Sequence, residues 1–498
     1  MNRKNLMVFL ALLFASAHCG DSKTDPGSGL NDGAVSGPED AAVSDDAAVP
    51  VPDDVASYGG SLSFRYVSVP ETHAAPSGKQ IKLAVTVLQS TSTSAPDVPV
   101  LIVSGGPGND ATTFFNNAAL TRPFIDSLRS YRHIILLDQR GTGYSDPAFF
   151  SQSGEATQAF HDRLVAEGND LSAFNTDESA ADVKDVLDAL ETPKVDVYSV
   201  SYGTFLAQDL MRTMPERIRA VVLDSTLPTT TAVSRARDSG KTFQDGLVAF
   251  LQDCSTDPAC AAAFPNLVDD FFALADTLTA NPASFMASDG SGGESQVSLD
   301  GVSLLGMFET LLVMPSFYPH LPLMIEELKA GKFDHAVQTV YGARPASNPK
   351  SNATGLFNSV FCRDFASYNT KDEVLAADAE LRPQIKAYAD ALAGQIFDTC
   401  AVWAVGKAPE ALRQTVTSSL PTLILAGAFD TKTSPSWGQL VGETLPSSFY
   451  IELPRTGHGA SGRPCGQSMI QAFFADPSTE PDSSCIESLK AAGLYETQ

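Results

Sequence analysis

A short strand-like run that ends in a small-x-Ser-x-Gly pattern constrains the fold of this chain more than any other feature. Residues 195–199 form the run, Ser201 follows, and an amphipathic helical pattern covers residues 205–214. A serine on so tight a strand-to-helix turn projects from a sheet edge, and only small residues fit two positions before and after it. Ser199 and Gly203 occupy those positions. The pattern predicts a sheet with Ser201 as its exposed nucleophile, although a polar β-turn is the alternative.

Strand and helix patterns alternate on both sides of this turn. Apolar or alternating runs predict strands at residues 62–69, 81–88, 98–104, 132–138, 195–199, 218–224, 421–426 and 448–453. A helix is predicted at residues 177–190, and residues 226–420 have a mainly helical pattern with polar interruptions at 288–295 and 345–353. The order predicts an α/β fold in which eight mostly parallel strands carry a large, mainly helical cap inserted after the sixth strand.

The same patterns divide the chain into five segments. We predict a signal peptide at residues 1–18, a disordered acidic tether at 19–57, a first core segment at 58–226, a helical cap at 227–415 and a second core segment at 416–498. Residues 20–57 contain nine acidic residues, one lysine and no aromatic residue before position 58, so they cannot bury enough apolar surface to fold.

The N-terminus has the form of an export signal. Arg3 and Lys4 precede an apolar run at residues 6–17 that is too short to span a bilayer. Cleavage after Ala17 would give ordinary secretion to the periplasm or the exterior. The four residues that end at Cys19 resemble a bacterial lipoprotein box, and the tether-like segment that follows favours this reading. We therefore expect a cell-envelope lipoprotein lipidated on Cys19, with membrane contact only through that lipid.

Cysteine content and charge narrow the class further. Without Cys19, six of the seven cysteines remain, an even number that suits disulfides in an oxidising compartment. Fifteen pairings are open, and our hypothesis joins neighbours in order: 254–260, 362–400 and 465–485. The net charge of −26 argues against nucleic acid as a partner. No cysteine or histidine spacing suggests a metal site, so we expect neither a metal nor a cofactor. We also expect the protein to be a monomer.

A glycine-rich segment follows the third predicted strand. Residues 104–108 read Ser-Gly-Gly-Pro-Gly. Glycines at a strand end let backbone N–H groups approach a reacting oxygen, as an oxyanion hole requires. Gly105 and Gly106, with the N–H of Tyr202 after the nucleophile, are the predicted donors, and an ordinary Gly-Pro turn is the alternative.

An acid and a histidine follow the last two predicted strands. Asp430 and His458 complete the chain order Ser, Asp, His that this architecture uses, with Asp orienting the imidazole that takes the serine proton. Asp224, at the end of an earlier strand, is the rival acid. The strand-to-helix turn that carries Ser201 is called the elbow here. The other histidines lie in the signal, before the elbow, in a polar helix or in the cap, and we expect no catalytic role for them: His18, His73, His133, His161, His320 and His335.

Several motifs together resemble one branch of the α/β-hydrolase superfamily. They are residues 104–108, Asp138-Gln-Arg-Gly-Thr-Gly with Ser145, residues 198–204, and the cysteine-bearing segments at 254–260, 361–364, 400–403 and the tail. This set resembles the proline iminopeptidases and, more specifically, the tripeptidyl aminopeptidases, over about residues 61–487. Two positions depart from the family pattern, because Ser104 replaces its usual histidine and Ser199 its usual elbow glycine. Asp138 and Arg140 are interpreted as structural.

The resemblance implies an α/β-hydrolase fold and an exported serine exopeptidase that releases single residues or tripeptides from free peptide N-termini. Such an enzyme needs cap carboxylates for the substrate's ammonium group, and no choice is made among Asp269, Asp270, Glu326 and Glu327, for each of which a solvated helix face is the default. An esterase or lipase that uses the same residues is the alternative. A non-catalytic binding protein on a hydrolase scaffold is the remote one.

Overall fold

The computed structural model describes residues 50–117, 121–288, 294–333, 349–491 and 493–497. The predicted signal peptide, Cys19 and most of the tether lie outside these ranges, as do His335 and parts of the two polar interruptions of the cap, residues 289–293 and 345–348. Within the ranges, no helix combines the length and the apolar character that crossing a bilayer requires.

Eight strands form one sheet: β1 Leu62–Pro70, β2 Gln80–Leu88, β3 Val100–Val103, β4 Ile134–Leu137, β5 Val195–Val200, β6 Ile218–Asp224, β9 Thr422–Gly427 and β10 Ser448–Leu453. The intervening strands β7 Ala283–Ser288 and β8 Glu294–Leu299 form a separate hairpin. The order of strands in the sheet is β1-β2-β4-β3-β5-β6-β9-β10. β2 pairs antiparallel with both of its neighbours, and the other pairs are parallel. The predicted eight-stranded, mostly parallel sheet is confirmed, as is the α/β-hydrolase fold.

Continuous apolar runs form the middle of the sheet because helices cover both of its faces. Every residue of β3, β4 and β9 is buried, whereas the edge strand β10 has only two buried residues. Strands buried on both faces lose the polar alternation of a half-exposed strand. The short runs 98–104 and 132–138 were therefore recognisable, although the strands are shorter than predicted.

Helices flank the sheet and fill the insertion. The α-helices are α1 Asp53–Ala56, α2 Arg122–Arg129, α3 Thr157–Ala166, α4 Thr176–Ala189, α5 Tyr202–Thr213, α6 Ser239–Asp253, α7 Pro258–Ala263, α8 Leu267–Ala280, α9 Gly301–Leu311, α10 Leu321–Lys329, α11 Thr354–Val360, α12 Lys371–Ala377, α13 Pro383–Trp403, α14 Pro435–Gly442, α15 Pro464–Ala475 and α16 Ile486–Leu489. A π-helical turn, Phe361–Phe365, follows α11.

Part of the chain between β6 and β9 has an apolar core of its own, whereas residues of α11 and the end of α13 pack in the core of the sheet. Phe250, Phe271 and Phe308, from α6, α8 and α9, are buried together in that separate core. The chain between β6 and β9 also contains the antiparallel hairpin of β7 and β8, which the sequence did not predict. Both strands are short and rich in serine, so their period-2 pattern is weak, and the polar residues at 288–295 are typical of an interruption between helices.

The folded chain begins before the predicted boundary at residue 58. The one-turn helix α1 places Val55 in a buried contact with Phe64 and Ala84. The Asn116 side chain also donates a hydrogen bond to the carbonyl of Asp54 at 2.6 Å. A single apolar side chain in an acidic segment has no periodicity, so this contact left no signal in the sequence.

Three disulfides join the cysteines in sequence order, as hypothesised. They link Cys254 to Cys260, Cys362 to Cys400, and Cys465 to Cys485. The second closes the longest loop and joins the π-helical turn to the long helix α13.

Loop length predicts the relative contribution of two of these disulfides to stability. The Cys362–Cys400 loop spans 38 residues and the Cys254–Cys260 loop spans 6. Loop-closure entropy gives about 4 kcal/mol for the longer loop and about 2 kcal/mol for the shorter one. Replacing both cysteines of the longer pair by alanine should lower the free energy of unfolding more than the same change in the shorter pair, as measured by urea denaturation. Equal or reversed losses would contradict this.

Candidate active site

Ser201 lies on a sharp turn between β5 and α5. Its backbone has φ 58° and ψ −129°, an unfavourable conformation for a residue with a side chain. The turn is held by a hydrogen bond from the N–H of Ser201 to the carbonyl of Asp224, the last residue of β6, at 3.0 Å. Such strain costs of order 1–3 kcal/mol and is concentrated at functional sites. The predicted elbow geometry is present.

Two glycines allow the backbone to pack closely against this turn. A Cβ on Gly203 would lie 2.3 Å from the carbonyl oxygen of Val103, so only glycine lets α5 start directly beside the end of β3. A Cβ on Gly105 would lie 3.0 Å from the Cβ of Ser201. The glycine-rich segment after β3 therefore contacts the serine side chain itself.

The two departures from the family pattern are accommodated by hydrogen bonds. The Ser199 hydroxyl is buried and donates to the carbonyl of Val222 on β6 at 2.7 Å. The Ser104 hydroxyl is also buried and donates to the carbonyl of Asp110 at 3.1 Å. Both side chains are thus engaged within the backbone framework, and Ser199 is not available as a nucleophile.

His458 and Asp430 form a hydrogen-bonded pair. The Nδ1 atom of His458 lies 3.0 and 2.9 Å from the two carboxylate oxygens of Asp430, and the imidazole is partly exposed while the carboxylate is buried. Asp430 also accepts hydrogen bonds from the N–H groups of Lys432 and Thr433, at 2.7 and 2.9 Å, and from the Thr433 hydroxyl at 2.8 Å. The sequence did not identify Thr433 as part of this arrangement.

Opposing influences set the pKa of Asp430. Burial raises it, but the His458 imidazole and the hydrogen bonds from Thr433 and Lys432 lower it more, so the pKa lies below the ordinary value of a carboxyl group. A carboxyl whose pKa is lower in the folded than in the unfolded state stabilises the fold above the unfolded pKa. That contribution is lost as the pH falls through the folded pKa. Asp430 is therefore ionised at neutral pH and can stabilise a protonated imidazole.

Asp224, the rival acid, does not contact His458 and instead supports the loop that carries it. Its carboxylate accepts hydrogen bonds from the N–H groups of Ala460 at 2.7 Å and Ser461 at 2.9 Å, and from the Tyr198 hydroxyl at 3.0 Å. Because the carbonyl of the same residue holds the N–H of Ser201, one residue links the elbow to the histidine loop.

A second contact reinforces this link. Ser225, next along the chain, has φ 59°, and its hydroxyl accepts a hydrogen bond from the N–H of Gly459 at 2.9 Å. Within the described residues, the imidazole of His458 has hydrogen-bonding contacts with Asp430 and Thr433 only. The His458 imidazole therefore makes no hydrogen bond to the Ser201 hydroxyl in this structure. In free enzymes the hydrogen bond between a nucleophile and its base is often long and tightens when substrate binds.

Asp138 and Arg140 tie together the loops behind the site, in agreement with their structural interpretation. The Asp138 carboxylate accepts hydrogen bonds from the N–H groups of Ala111, Thr112 and Tyr144 at 3.1, 2.8 and 3.0 Å. Arg140 is fully buried, and its guanidinium donates two hydrogen bonds to Asp182, at 2.8 and 2.7 Å.

Other acidic and histidine residues are engaged away from the site. Asp270 and Glu326 both pair with Lys329 at 2.8 Å on the outer helices of the insertion, as expected for a solvated helix face. The remaining described histidines have local partners: His73 with Glu178 and Asp185, His133 with the N–H of Ser90, His161 with Asp162, and His320 with Glu496. The described residues contain no group of three or more acidic, histidine or cysteine side chains arranged to hold a metal ion.

A charged cluster that the sequence did not identify lies beside Asp430. Glu309 of α9 is buried, and its carboxylate contacts the Lys432 ammonium at 2.9 Å and accepts a hydrogen bond from the Tyr388 hydroxyl at 2.6 Å. Arg235 is within electrostatic reach of Glu309 and Asp430. No local pattern could reveal this cluster, because its members come from segments far apart in the chain.

Two family models match the chain. Residues 98–263 match the model described as alpha/beta hydrolase fold, and residues 386–485 match the model described as TAP-like protein. The first range includes Ser201 and Asp224, and the second includes Asp430 and His458.

Three curated relatives are similar in sequence. Serine protease Hip1 of Mycobacterium tuberculosis is 22% identical over 461 residues, which cover 85% of this chain and 86% of that protein. Tripeptidyl aminopeptidase of Streptomyces lividans is 30% identical over 188 residues, 32% of this chain and 34% of that protein. Putative hydrolase YuaR of Escherichia coli K12 is 24% identical over 372 residues, 69% of each chain.

The close approach of Gly105 to the serine gives a test of the site geometry. A Cβ at this position would also lie 2.9 Å from the carbonyl oxygen of Val200, so Gly105→Ala must displace the turn. A displacement of about 1 Å can cost about 100-fold in rate. We expect Gly105→Ala to slow labelling of Ser201 by a fluorophosphonate about 100-fold in protein that remains folded by circular dichroism.

Gly462→Ala is the matched control for this substitution. Gly462 lies near the histidine loop, and a Cβ there would meet no atom within 4 Å. Its labelling rate should equal that of the wild type. Similar rates for Gly105→Ala and Gly462→Ala would contradict the predicted packing of the glycine-rich segment on the nucleophile.

Proposed function

We propose that this chain, a serine hydrolase of the α/β-hydrolase superfamily, is an aminopeptidase. It would release residues or tripeptides from free peptide N-termini through an acyl-enzyme on Ser201. The observation that carries the proposal is the hydrogen bond between His458 and Asp430, together with the loop of His458, which Asp224 fastens to the backbone of the nucleophile turn. Acyl transfer by serine requires such a base, held and polarised by a carboxylate.

In the proposed mechanism, His458 Nε2 takes the proton of the Ser201 hydroxyl as its oxygen attacks the carbonyl carbon of the scissile peptide bond. The resulting imidazolium is stabilised by Asp430, which also fixes the tautomer because it binds Nδ1. When the tetrahedral intermediate collapses, His458 donates the proton to the leaving amine. Water then attacks the acyl-enzyme and loses its proton to His458, which returns it to Ser201.

Backbone donors beside the serine would stabilise the intermediate. The N–H of Tyr202 is the first of helix α5, and helix geometry leaves the first N–H groups without an intrahelical acceptor. The helix N-terminus also favours negative charge. Gly105 and Gly106 would supply the other donors, since the segment that contains them packs against Ser201. Loss of one such donor typically lowers turnover by about 10²–10³.

The preference for a peptide over an ester is supported by the sequence relatives. The segment with Asp430 and His458 lies in the part that matches the TAP-like model, and two relatives are named as a serine protease and a tripeptidyl aminopeptidase. Hydrolysis of small acyl esters by the same residues is the alternative, because both reactions pass through an acyl-serine. A binding protein without catalysis is the remote alternative.

We also propose an exported, monomeric protein, held at a bacterial cell envelope by a lipid on Cys19 or released by ordinary cleavage. Three disulfides support an oxidising compartment. A charge of −26 makes nucleic acid an unsuitable partner.

Removal of the nucleophile tests the catalytic assignment. Ser201→Ala should abolish fluorophosphonate labelling and lower kcat by about 10⁴-fold or more, because proton transfer and covalent catalysis are lost together. Ser199→Ala is the control, since that hydroxyl donates to a β6 carbonyl and should remain dispensable for labelling. Labelling that persists in Ser201→Ala would assign the reaction to another residue. Absence of labelling in folded wild-type protein would favour the binding protein.

The requirement for a free N-terminus tests the substrate class. A peptide library presented with free and with acetylated N-termini should be trimmed only in the free form, with single residues or tripeptides detected by mass spectrometry. Turnover of a tripeptidyl p-nitroanilide should also exceed that of a p-nitrophenyl ester relative to the uncatalysed reactions. Equal cleavage of both libraries would contradict the exopeptidase assignment, and ester turnover alone would identify an esterase.

A further inference from the structure

A chain of buried hydrogen bonds joins the side chain of Tyr202 to the insertion between β6 and β9. The hydroxyl oxygens of Tyr202 and Thr176 lie 2.9 Å apart, and the Thr176 hydroxyl donates to the carboxylate of Asp364 at 2.6 Å. Because the single proton of Thr176 goes to that carboxylate, the Tyr202 hydroxyl is the donor to Thr176. All three residues are at most 1% exposed, so the chain of bonds is shielded from water.

Asp364 is presented by the π-helical turn Phe361–Phe365, which is anchored on both sides. Its other carboxylate oxygen accepts a hydrogen bond from Arg363 at 2.7 Å, and Arg363 also donates to Asp177 of α4 at 2.8 Å. The neighbouring Cys362 is joined to α13 by a disulfide. Single turns of π-helix are rare and are frequent at functional sites. The carboxylate therefore extends from a backbone that is held in place.

The same turn packs on the helix that follows the nucleophile. The ring of Phe365 lies edge to face with the ring of Phe205 at 4.9 Å and with that of Tyr202 at 6.5 Å, measured between centroids. The N–H of Thr176 donates to the Asp364 carboxylate at 3.2 Å, so the start of α4 is fastened to the turn as well. The π-helical turn thus contacts Tyr202 through an aromatic ring and through a hydrogen-bonded side chain.

Tyr202 lies where a small displacement affects the reaction. It directly follows Ser201, and its N–H is the proposed donor to the oxyanion. Such a donor stabilises the intermediate only within about 3 Å of the oxygen, so the residue that carries it must be held. The side chain of tyrosine is rigid apart from two torsions. Fixing its hydroxyl therefore restricts the backbone of the same residue.

We propose that Asp364 and Thr176 are positioning residues for acyl transfer, which hold the N–H of Tyr202 in place through the hydroxyl of Tyr202. The insertion thereby contributes to stabilisation of the transition state without touching the substrate. This inference rests on the proposed acyl-enzyme at Ser201, and it holds whether the acyl group comes from a peptide or from an ester.

Variants that remove one hydroxyl at a time test the proposal. Tyr202→Phe removes the end of the chain of bonds and keeps the backbone N–H, and Thr176→Val removes the middle. The quantities measured are the rate constant for fluorophosphonate labelling of Ser201, and kcat and KM with a tripeptidyl p-nitroanilide and a p-nitrophenyl ester. Each variant should slow labelling and lower kcat about tenfold with KM unchanged, because the donor is displaced but not lost.

A double-mutant cycle separates positioning through Tyr202 from an independent structural effect. The variant that carries both Tyr202→Phe and Thr176→Val should be no slower than the slower single variant, since both substitutions break the same chain of bonds. Thr176→Ser keeps the hydroxyl and should retain most of the wild-type rate. Where Thr176→Val does not fold, Thr176→Cys takes its place in the cycle, because a thiol is only a weak donor and acceptor.

Ser359→Ala is the matched control. The Ser359 hydroxyl accepts a hydrogen bond from the indole N–H of Trp403 at 2.8 Å, and this buried bond joins α11 to α13 beside the same π-helical turn. Its loss should lower the free energy of unfolding and leave the labelling rate and kcat unchanged.

Three results would overturn the inference: a wild-type labelling rate in folded Tyr202→Phe, losses that multiply in the double variant, or an equal loss of rate in Ser359→Ala. Circular dichroism identifies the folded protein in each case. If labelled wild-type protein hydrolyses the ester but no peptide, the proposed aminopeptidase activity fails separately, and the labelling rates and ester kcat still decide the role of Asp364 and Thr176.

Discussion

Asp224 links the two halves of the site, which the sequence separates by more than 200 residues. Its oxygens hold the N–H groups of Ala460 and Ser461, while the carbonyl of the same residue holds the N–H of Ser201. Burial raises the pKa of Asp224, and the hydrogen bonds from Ser461, Ala460 and Tyr198 oppose that effect. Burying an acid at the end of β6 costs free energy, which the hydrogen bonds to Asp224 offset, and the same hydrogen bonds position the histidine loop.

Strain and close packing are concentrated around this link. Ser201 and Ser225 both have positive φ values, 58° and 59°, and each directly follows one of the neighbouring strands β5 and β6. The N–H of Ser201 donates a hydrogen bond to the carbonyl of Asp224, and the hydroxyl of Ser225 accepts one from the N–H of Gly459. Gly105 and Gly203 allow neighbouring backbone to approach the serine. The arrangement agrees with the general rule that unfavourable backbone conformations persist where surrounding contacts over-determine them.

Local patterns in the sequence were sufficient for the sheet, the elbow and the order of Ser201, Asp430 and His458, because buried strands and glycine-bounded turns leave short-range signals. They were not sufficient for side chains that meet across the fold. Glu309 and Lys432 contact each other across 123 positions, and Asp224 was considered only as a rival acid. The β7–β8 hairpin and helix α1 were missed because they are short and lack strong periodicity.

We propose that Ser201, His458 and the glycine-rich segment form one acyl-transfer site held together through Asp224. A crystal structure of the protein after reaction with a fluorophosphonate tests it most directly, since the phosphonyl group imitates the tetrahedral intermediate. We expect phosphorus on Ser201 Oγ, the phosphonyl oxygen within about 3 Å of the N–H of Tyr202 and of Gly105 or Gly106, and His458 still bound to Asp430. Phosphorus on another residue, or an imidazole turned away from Ser201 with its loop detached from Asp224, would rule out this arrangement of the site.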